Sequence, residues 1–152
     1  MVTYGLSHDL GSPRAVTGRM LDYLAQAPLG RIALSVKALP VIFPVNHLVW
    51  HGDVVFMTGS RTKLAVATTG TVVAFEVDHF DHRDQSSWSV LVQGVAEEII
   101  DPDEAAEVRA LPFPACRLNG EGDHFVRIRR ARISGRQFQT AVADDHERAS
   151  VS

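Results

Sequence analysis

Residues 30–58 read GRIALSVKALPVIFPVNHLVWHGDVVFMT, and this stretch decides the fold. Ile32, Leu34 and Val36 alternate with Arg31, Ala33, Ser35 and Lys37, the period of a half-buried strand. Leu39-Pro40 supplies a turn. Val41 to Trp50 is β-branched and aromatic, and His51-Gly52-Asp53 turns the chain back into the apolar run Val54–Thr58. The three segments predict an antiparallel meander with tight connections.

Outward from this core the period changes. On the amino-terminal side, Val16, Met20, Leu21 and Leu24 recur at helical spacing after Ser12-Pro13, a cap followed by proline in the first turn. A helix over about 13–28 is expected, behind a loose lead. On the carboxyl side, Thr62–Thr69 can form a short helix closed by Gly70. Thr71–Phe80 and Ser87–Ile100 read as strands, with Gly94 as a bulge or bend. Asp101-Pro102-Asp103-Glu104 is a capping box opening a helix to about Leu111, stopped by Pro112 and Pro114. His124–Phe138 is the last strand, and the tail from Ala143 is polar. About six strands, one amino-terminal helix and two short inserted helices favour a mainly β, six-stranded antiparallel split barrel, because closure removes exposed edges.

The chain of 152 residues has the length of a single domain, and 45 % hydrophobic with 22 % charged residues is a globular composition. The net charge of −3 gives no general support to binding nucleic acid or an anionic membrane. Arg127, Arg129, Arg130, Arg132 and Arg136 invite a nucleic-acid reading, but strand alternation splits them between two faces. Cys116 is the only cysteine, which excludes an intramolecular disulfide and fits a reducing cytoplasm. No apolar run is long enough to span a membrane, and Met1–Leu10 lacks the basic-then-apolar layout of a cleaved leader.

Three segments carry candidate chemistry. In Thr58-Gly59-Ser60-Arg61-Thr62-Lys63, a strand end meets a helix start. The first amides of a helix lack intrahelical partners and its dipole is positive there, so hydroxyls on Thr58 and Ser60 with charges on Arg61 and Lys63 suit a phosphate monoester. The P-loop spacing is absent. In Phe43-Pro44-Val45-Asn46-His47, proline removes a ladder donor and exposes backbone that can bond a flat heterocycle with carbonyl and imide groups, with Asn46 adding a donor and an acceptor. In Ser86-Ser87-Trp88-Ser89, the indole can cover a ligand's edge, pack across a subunit interface or join the core. Asp78-His79-Phe80-Asp81-His82 contains metal-ligand residue types, but a polar loop after a strand explains it, and no metal site is expected.

These segments, with Leu29–Ala33, Val73–Asp78, Trp88–Ala96 and the closing Val126–Arg129 and Ile133–Arg136, resemble in order and spacing the pyridoxamine 5′-phosphate oxidase-like, FMN-binding split-barrel family. The resemblance covers residues 30–138. It implies a homodimer with FMN at the interface, the ring along Pro44, Val45, Asn46 and His47, the phosphate on Thr58, Ser60, Arg61 and Lys63, and Trp88 and Ser89 approaching the cofactor from the partner. It implies hydride transfer between bound flavin and a small-molecule substrate in a cytoplasmic oxidoreductase. Alternatives within the family are a deazaflavin-dependent reductase and a module that binds flavin, deazaflavin or haem without turnover. The Arg-x-His pair needed for vitamin oxidation is missing: Arg127-Ile128-Arg129-Arg130-Ala131-Arg132 holds no histidine, so the resemblance does not extend to that reaction. No catalytic side chain is singled out.

Overall fold

A computed structural model describes residues 13–59, 69–83, 85–113 and 123–139. Two hairpins come from the stretch quoted first. Strand β1 (Gly30–Val36) pairs antiparallel with β2 (Leu39–Val45), and β3 (His47–Trp50) pairs antiparallel with β4 (Asp53–Gly59). Both turn on two residues with positive φ: Lys37 and Ala38 at 49° and 64°, His51 and Gly52 at 51° and 82°. Such turns match the right-handed twist of the flanking strands. The first turn therefore precedes Leu39-Pro40, where the sequence predicted it. Leu39 and Pro40 instead open β2, and proline is tolerated there because an edge strand leaves half of its donors unpaired.

The expected single strand over Val41–Trp50 is two strands, which raises the count from six to seven. The break falls at Asn46 and separates different partners. With β5 (Val72–Asp81), β6 (Ser86–Glu98) and β7 (Asp123–Gln139), the sheet order is β2-β1-β5-β6-β7-β4-β3. All six pairings are antiparallel. β2 and β3 stand at opposite edges, yet one residue joins them in the chain. The sheet must therefore roll until its edges meet at Asn46, which makes it a mainly β split barrel. The three early segments form two hairpins across this seam, not a meander.

Alternation drives burial. Ile32 on β1, Phe56 on β4, Phe75 and Val77 on β5, Val92 on β6 and Ile128 on β7 point inward and are fully buried. Helix α1 (Pro13–Gln26) lays Leu24 into the same core, also fully buried. Each such side chain contributes about 1.5–3 kcal/mol. A second cluster on the other side of β4 and β7 joins Trp50, Val55, Ile99 and Phe125 to Val108 of helix α2 (Pro102–Arg109). Half of the capping box forms: the Asp101 carboxylate accepts from the amides of Asp103 and Glu104 at 3.0 Å, while the Glu104 carboxylate accepts from Arg127. The helix stops at Arg109, short of Leu111, whose amide closes a final turn on the Val108 carbonyl.

Gly94 marks a bulge, as expected: Gln93 faces Arg132 while Gly94 faces Arg130, leaving Ala131 over. A Cβ at Gly94 would lie 2.0 Å from the Arg129 carbonyl oxygen, so no side chain fits between the two strands. Of the expected helix at Thr62–Thr69 only Thr69 is described, in a turn with Gly70; its other residues and the leading and trailing segments lie outside the described residues. Among those residues, no helix is long and apolar enough to cross a membrane.

Candidate functional site

The seam at Asn46 brings together two of the three candidate segments. In the β3–β4 register, His47 faces Phe56. The pairing ends there: Asn46 is in no strand, Val45 already pairs with Gly30 of β1, and Phe56 stands two residues before Thr58. Thr58 is buried and ends β4 together with Gly59. Ser60, Arg61 and Lys63 themselves lie outside the described residues.

Within the seam the side chains divide by strand parity. Pro44 is exposed opposite Arg31, Val45 is in the core, and Asn46 is half-buried. The side-chain amide of Asn46 has no hydrogen bond among the described residues, and the outer side of β2 has no strand partner. His47 turns inward. Its ring is 4 % exposed, its Nε2 donates to the Leu24 carbonyl at 2.7 Å, and its edge meets Phe75 with centroids 4.8 Å apart. Burial pushes its pKa below the ordinary histidine range, and the bond to Leu24 offsets this only in part. The imidazole is thus committed to the core and to α1, so His47 can offer a ligand its backbone and not its ring.

Trp88 and Ser89 open β6 at a separate place. Trp88 is half-buried against the main core and stacks on Tyr23 of α1, centroids 4.4 Å apart and planes at 15°. Its other neighbour is His79, its cross-strand partner on β5, at 5.8 Å. One face of the indole is therefore taken within the chain. Ser89 pairs with Arg136 of β7. Nothing local in the sequence announces the Tyr23–Trp88 stack, which joins residues far apart in the chain.

Two of the five arginines of β7 are neutralised by carboxylates among the described residues. Arg127 and Arg129 share a face and both reach Glu97, Arg129 at 2.9 Å and Arg127 at 3.6 Å. Arg127 also bonds Glu104 at 3.2 Å and lies over the Trp50 ring. The Glu97 carboxyl is held below its usual range by the hydrogen bond from Arg129. On β1, Arg31 pairs with Asp78 at 2.8 Å and with Glu76 at 3.5 Å. Burial, reinforced by Asp78, raises the Glu76 carboxyl despite Arg31. Asp78, the first residue of the possible metal-ligand run, is therefore an ion-pair partner, and Asp81 accepts from the Arg83 amide. Among the described residues, no group of three or more histidine, cysteine or carboxylate side chains is placed to hold a metal. A His124–Glu98 pair, which the sequence did not single out, sits where β7 runs beside the end of β4.

Comparison with known proteins agrees with this architecture. Over 96 residues, 60 % of the chain, the sequence is 42 % identical to the uncharacterised protein Rv0080 of Mycobacterium tuberculosis, and the match spans 63 % of that relative. The FAD binding protein of Mycobacterium smegmatis superposes with a TM-score of 0.71 at 33 % identity, over 81 % of this chain and 95 % of that one. A protein of Corynebacterium glutamicum, named as a pyridoxamine 5′-phosphate oxidase candidate, gives 0.70 at 30 % identity over 81 % and 90 %. The sequence profile of the pyridoxamine 5′-phosphate oxidase family matches residues 17–137. By sequence and by fold alike, the chain belongs to that family.

Proposed function

We propose that the chain binds a flavin nucleotide at the seam and transfers hydride between it and a small substrate. The observation that carries this reading is the β3–β4 register. It pairs His47 with Phe56, two residues before Thr58, and β4 ends at Gly59, the residue before Ser60 in the chain. A phosphate site on Ser60–Lys63 would follow directly in the chain on the strand that pairs with β3, near the strip of unpaired edge backbone, as a phosphorylated flat heterocycle requires. The half-buried amide of Asn46, with no partner among the described residues, fits the carbonyl and imide edge of such a ring. The superposition with an FAD-binding protein at 33 % identity points to the same ligand class.

Pro44, Val45, Asn46 and the His47 backbone would hold the ring edge. Thr58, Ser60, Arg61 and Lys63 would hold the phosphate next to the ribityl chain, which FMN and FAD share. When bound, the flavin supplies the hydride chemistry, and the protein supplies position, donors and exclusion of water.

A homodimer fits the outer face of the sheet. Ile42 is 65 % exposed and faces Ala33, which faces Ala74; Val72, 74 % exposed, faces Val95. These small and apolar positions cross β2, β1 and β5 and reach β6 at Val95, beside Gln93, which faces Ala74, and a second copy would cover them. Ser89, on the same face of β6 as Val95, would then reach the cofactor across that interface, while Trp88, which shares the inward parity of Val90 and Val92, would approach it only from the core side. A cytoplasmic oxidoreductase follows from this reading.

The test is the absorption spectrum and mass of whatever co-purifies with the full chain, followed by titration of cofactor-free protein with FMN, FAD and riboflavin. A retained or recaptured flavin nucleotide supports the proposal. A colourless protein that leaves FMN and FAD fluorescence unquenched refutes it.

A further inference from the structure

Arg31 on β1 meets two carboxylates of β5. Its Nη1 lies 2.8 Å from Asp78 and 3.5 Å from Glu76. Two acids share one guanidinium, so the cluster carries one negative charge in surplus. Glu76 is the more enclosed acid, its side chain 36 % exposed against 56 % for Asp78. Among the described residues no other charged group acts on it. Leu91 stands opposite it on β6, and Ser89 stands opposite Asp78. The next cation along this row, Arg136 of β7, lies beyond Ser89 and makes an ion pair with neither acid. His79, which follows Asp78 in the chain, points to the opposite face and meets Trp88.

The cluster lies on the outer face of the sheet, inside the area that a second copy would cover. Pro44 faces Arg31 on one side and Ser89 faces Asp78 on the other. Two residues along the strands, on the same face, come Ile42, Ala33 and Ala74. A partner that covers this apolar row and receives Ser89 must therefore also cover Glu76 and Asp78.

An interface between identical copies contains the cluster twice, and each brings its surplus charge out of water. One proton per cluster leaves one carboxylate for each guanidinium and removes the surplus. Glu76 is the acid disposed to take it. Burial, reinforced by Asp78, already raises its carboxyl above the usual range despite Arg31, and a second copy would deepen that burial. Asp78 holds the shorter bond to Arg31.

We infer that Glu76 is a proton-uptake site of the dimer: each copy binds one proton there as the two sheets close, so association is tighter in mild acid than at pH 8. A monomer has no such closure, so the inference rests on the dimer reading above and adds the site and the sign of its pH dependence. Protons taken up on association favour it as pH falls. The gain is complete below the value that Glu76 has in the free copy, and it is lost as pH rises through the higher value in the dimer. With one proton per copy, the dissociation constant changes by up to about 100-fold per pH unit inside that window.

Sedimentation velocity of the full chain over a dilution series at pH 8, 6.5 and 5 tests this. The dissociation constant should be lower at pH 5 than at pH 8 by about tenfold or more. Glu76→Gln should dimerise at pH 8 as tightly as the parent chain does at pH 5, with little further change between the two. Asp78→Asn restores the same charge balance and should behave alike, so it decides if the first variant does not fold. Where dilution does not part the copies, the rate at which ¹⁵N-labelled and unlabelled dimers form mixed dimers reads the same differences. A chain that is monomeric throughout overturns the dimer reading and the inference with it. A dimer whose affinity is level with pH, or whose pH dependence is the same in the parent and the variants, overturns the inference alone.

Discussion

His47 Nε2 donates to the carbonyl of Leu24 at 2.7 Å, and this single bond ties the last turn of α1 to the strand that starts at the barrel seam. Leu24 lies among the final four residues of the helix, where carbonyls lack intrahelical partners, so the histidine serves as a tertiary cap. The opposite nitrogen, Nδ1, is buried without a partner. Protonation would place a charge there with nothing to receive it.

A pH dependence follows. The folded state holds His47 neutral, with a pKa below the ordinary histidine value, while the unfolded chain takes up its proton near pH 6.5. Below that pH the unfolded state binds more protons, so stability falls as pH falls. The group's contribution is complete above about 6.5 and is lost, at up to about 1.4 kcal/mol per pH unit, until the folded-state pKa is reached. Urea unfolding at pH 7.5 and at pH 5 should show this loss. His47→Leu should cost about 1–3 kcal/mol at pH 7.5, because the Leu24 carbonyl loses its donor, yet show a flatter dependence between the two values. An unchanged slope in the variant would place the titration elsewhere.

The bulge at Gly94 gives a sharper expectation. A methyl group there would meet the Arg129 carbonyl oxygen at 2.0 Å and its carbon at 2.9 Å, and backbone inside a paired strand cannot step aside as a side-chain tip can. Gly94→Ala should therefore destabilise by about 3 kcal/mol or more, at the upper end for overpacking. Gly18→Ala is the control: no atom lies within 4 Å of its added methyl, and alanine favours an exposed helix. Equal melting temperatures for the two variants would show that the strands can part at the bulge at little cost.

What the sequence disclosed was what is decided locally. The Asp101-Pro102 cap needs only residues within one turn, and the Gly94 bulge needs only a glycine in a long strand. The Lys37–Ala38 turn escaped because its positive φ values fall on residues that seldom adopt them, with no Gly or Asn to mark the place. The seam at Asn46 escaped because Val41–Trp50 is uniformly strand-like, and only long-range pairing reveals that its halves have different partners. The inward turn of the His47 ring was within reach: alternation puts it on the face of Val45, opposite Asn46. The Tyr23–Trp88 stack depends on how a helix docks, which no short stretch of residues specifies.

The cap itself can be measured. Asp101→Ala removes the acceptor for the amides of Asp103 and Glu104 and should cost about 1 kcal/mol, whereas Asp101→Asn should keep most of it. The helix carries Val108 into the second cluster, so its loosening should also expose Trp50. Trp50 fluorescence, read in a Trp88→Phe background, should shift to the red with Ala and not with Asn. Identical urea midpoints for Ala and the parent chain would mean that packing of Val108 alone sets the helix.

The phosphate assignment makes the strongest demand on the flavin reading. FMN and riboflavin present the same ring and ribityl chain and differ only in the phosphate. Arg61 and Lys63 follow directly on the strand end that adjoins the seam, and a charge-assisted bond is worth about 1.5–3 kcal/mol, or roughly 10- to 100-fold in affinity. The double variant Arg61→Ala with Lys63→Ala should thus weaken FMN by about 100-fold or more and leave riboflavin within a factor of two or three. Asn46→Ala should act the other way, weakening both ligands alike, because the ring edge it faces is common to them. Fluorescence quenching on cofactor-free protein measures all four affinities. A double variant that lost FMN and riboflavin equally would show that the two cations shape the fold of the pocket and do not hold the phosphate, and the seam would then lack its anion site.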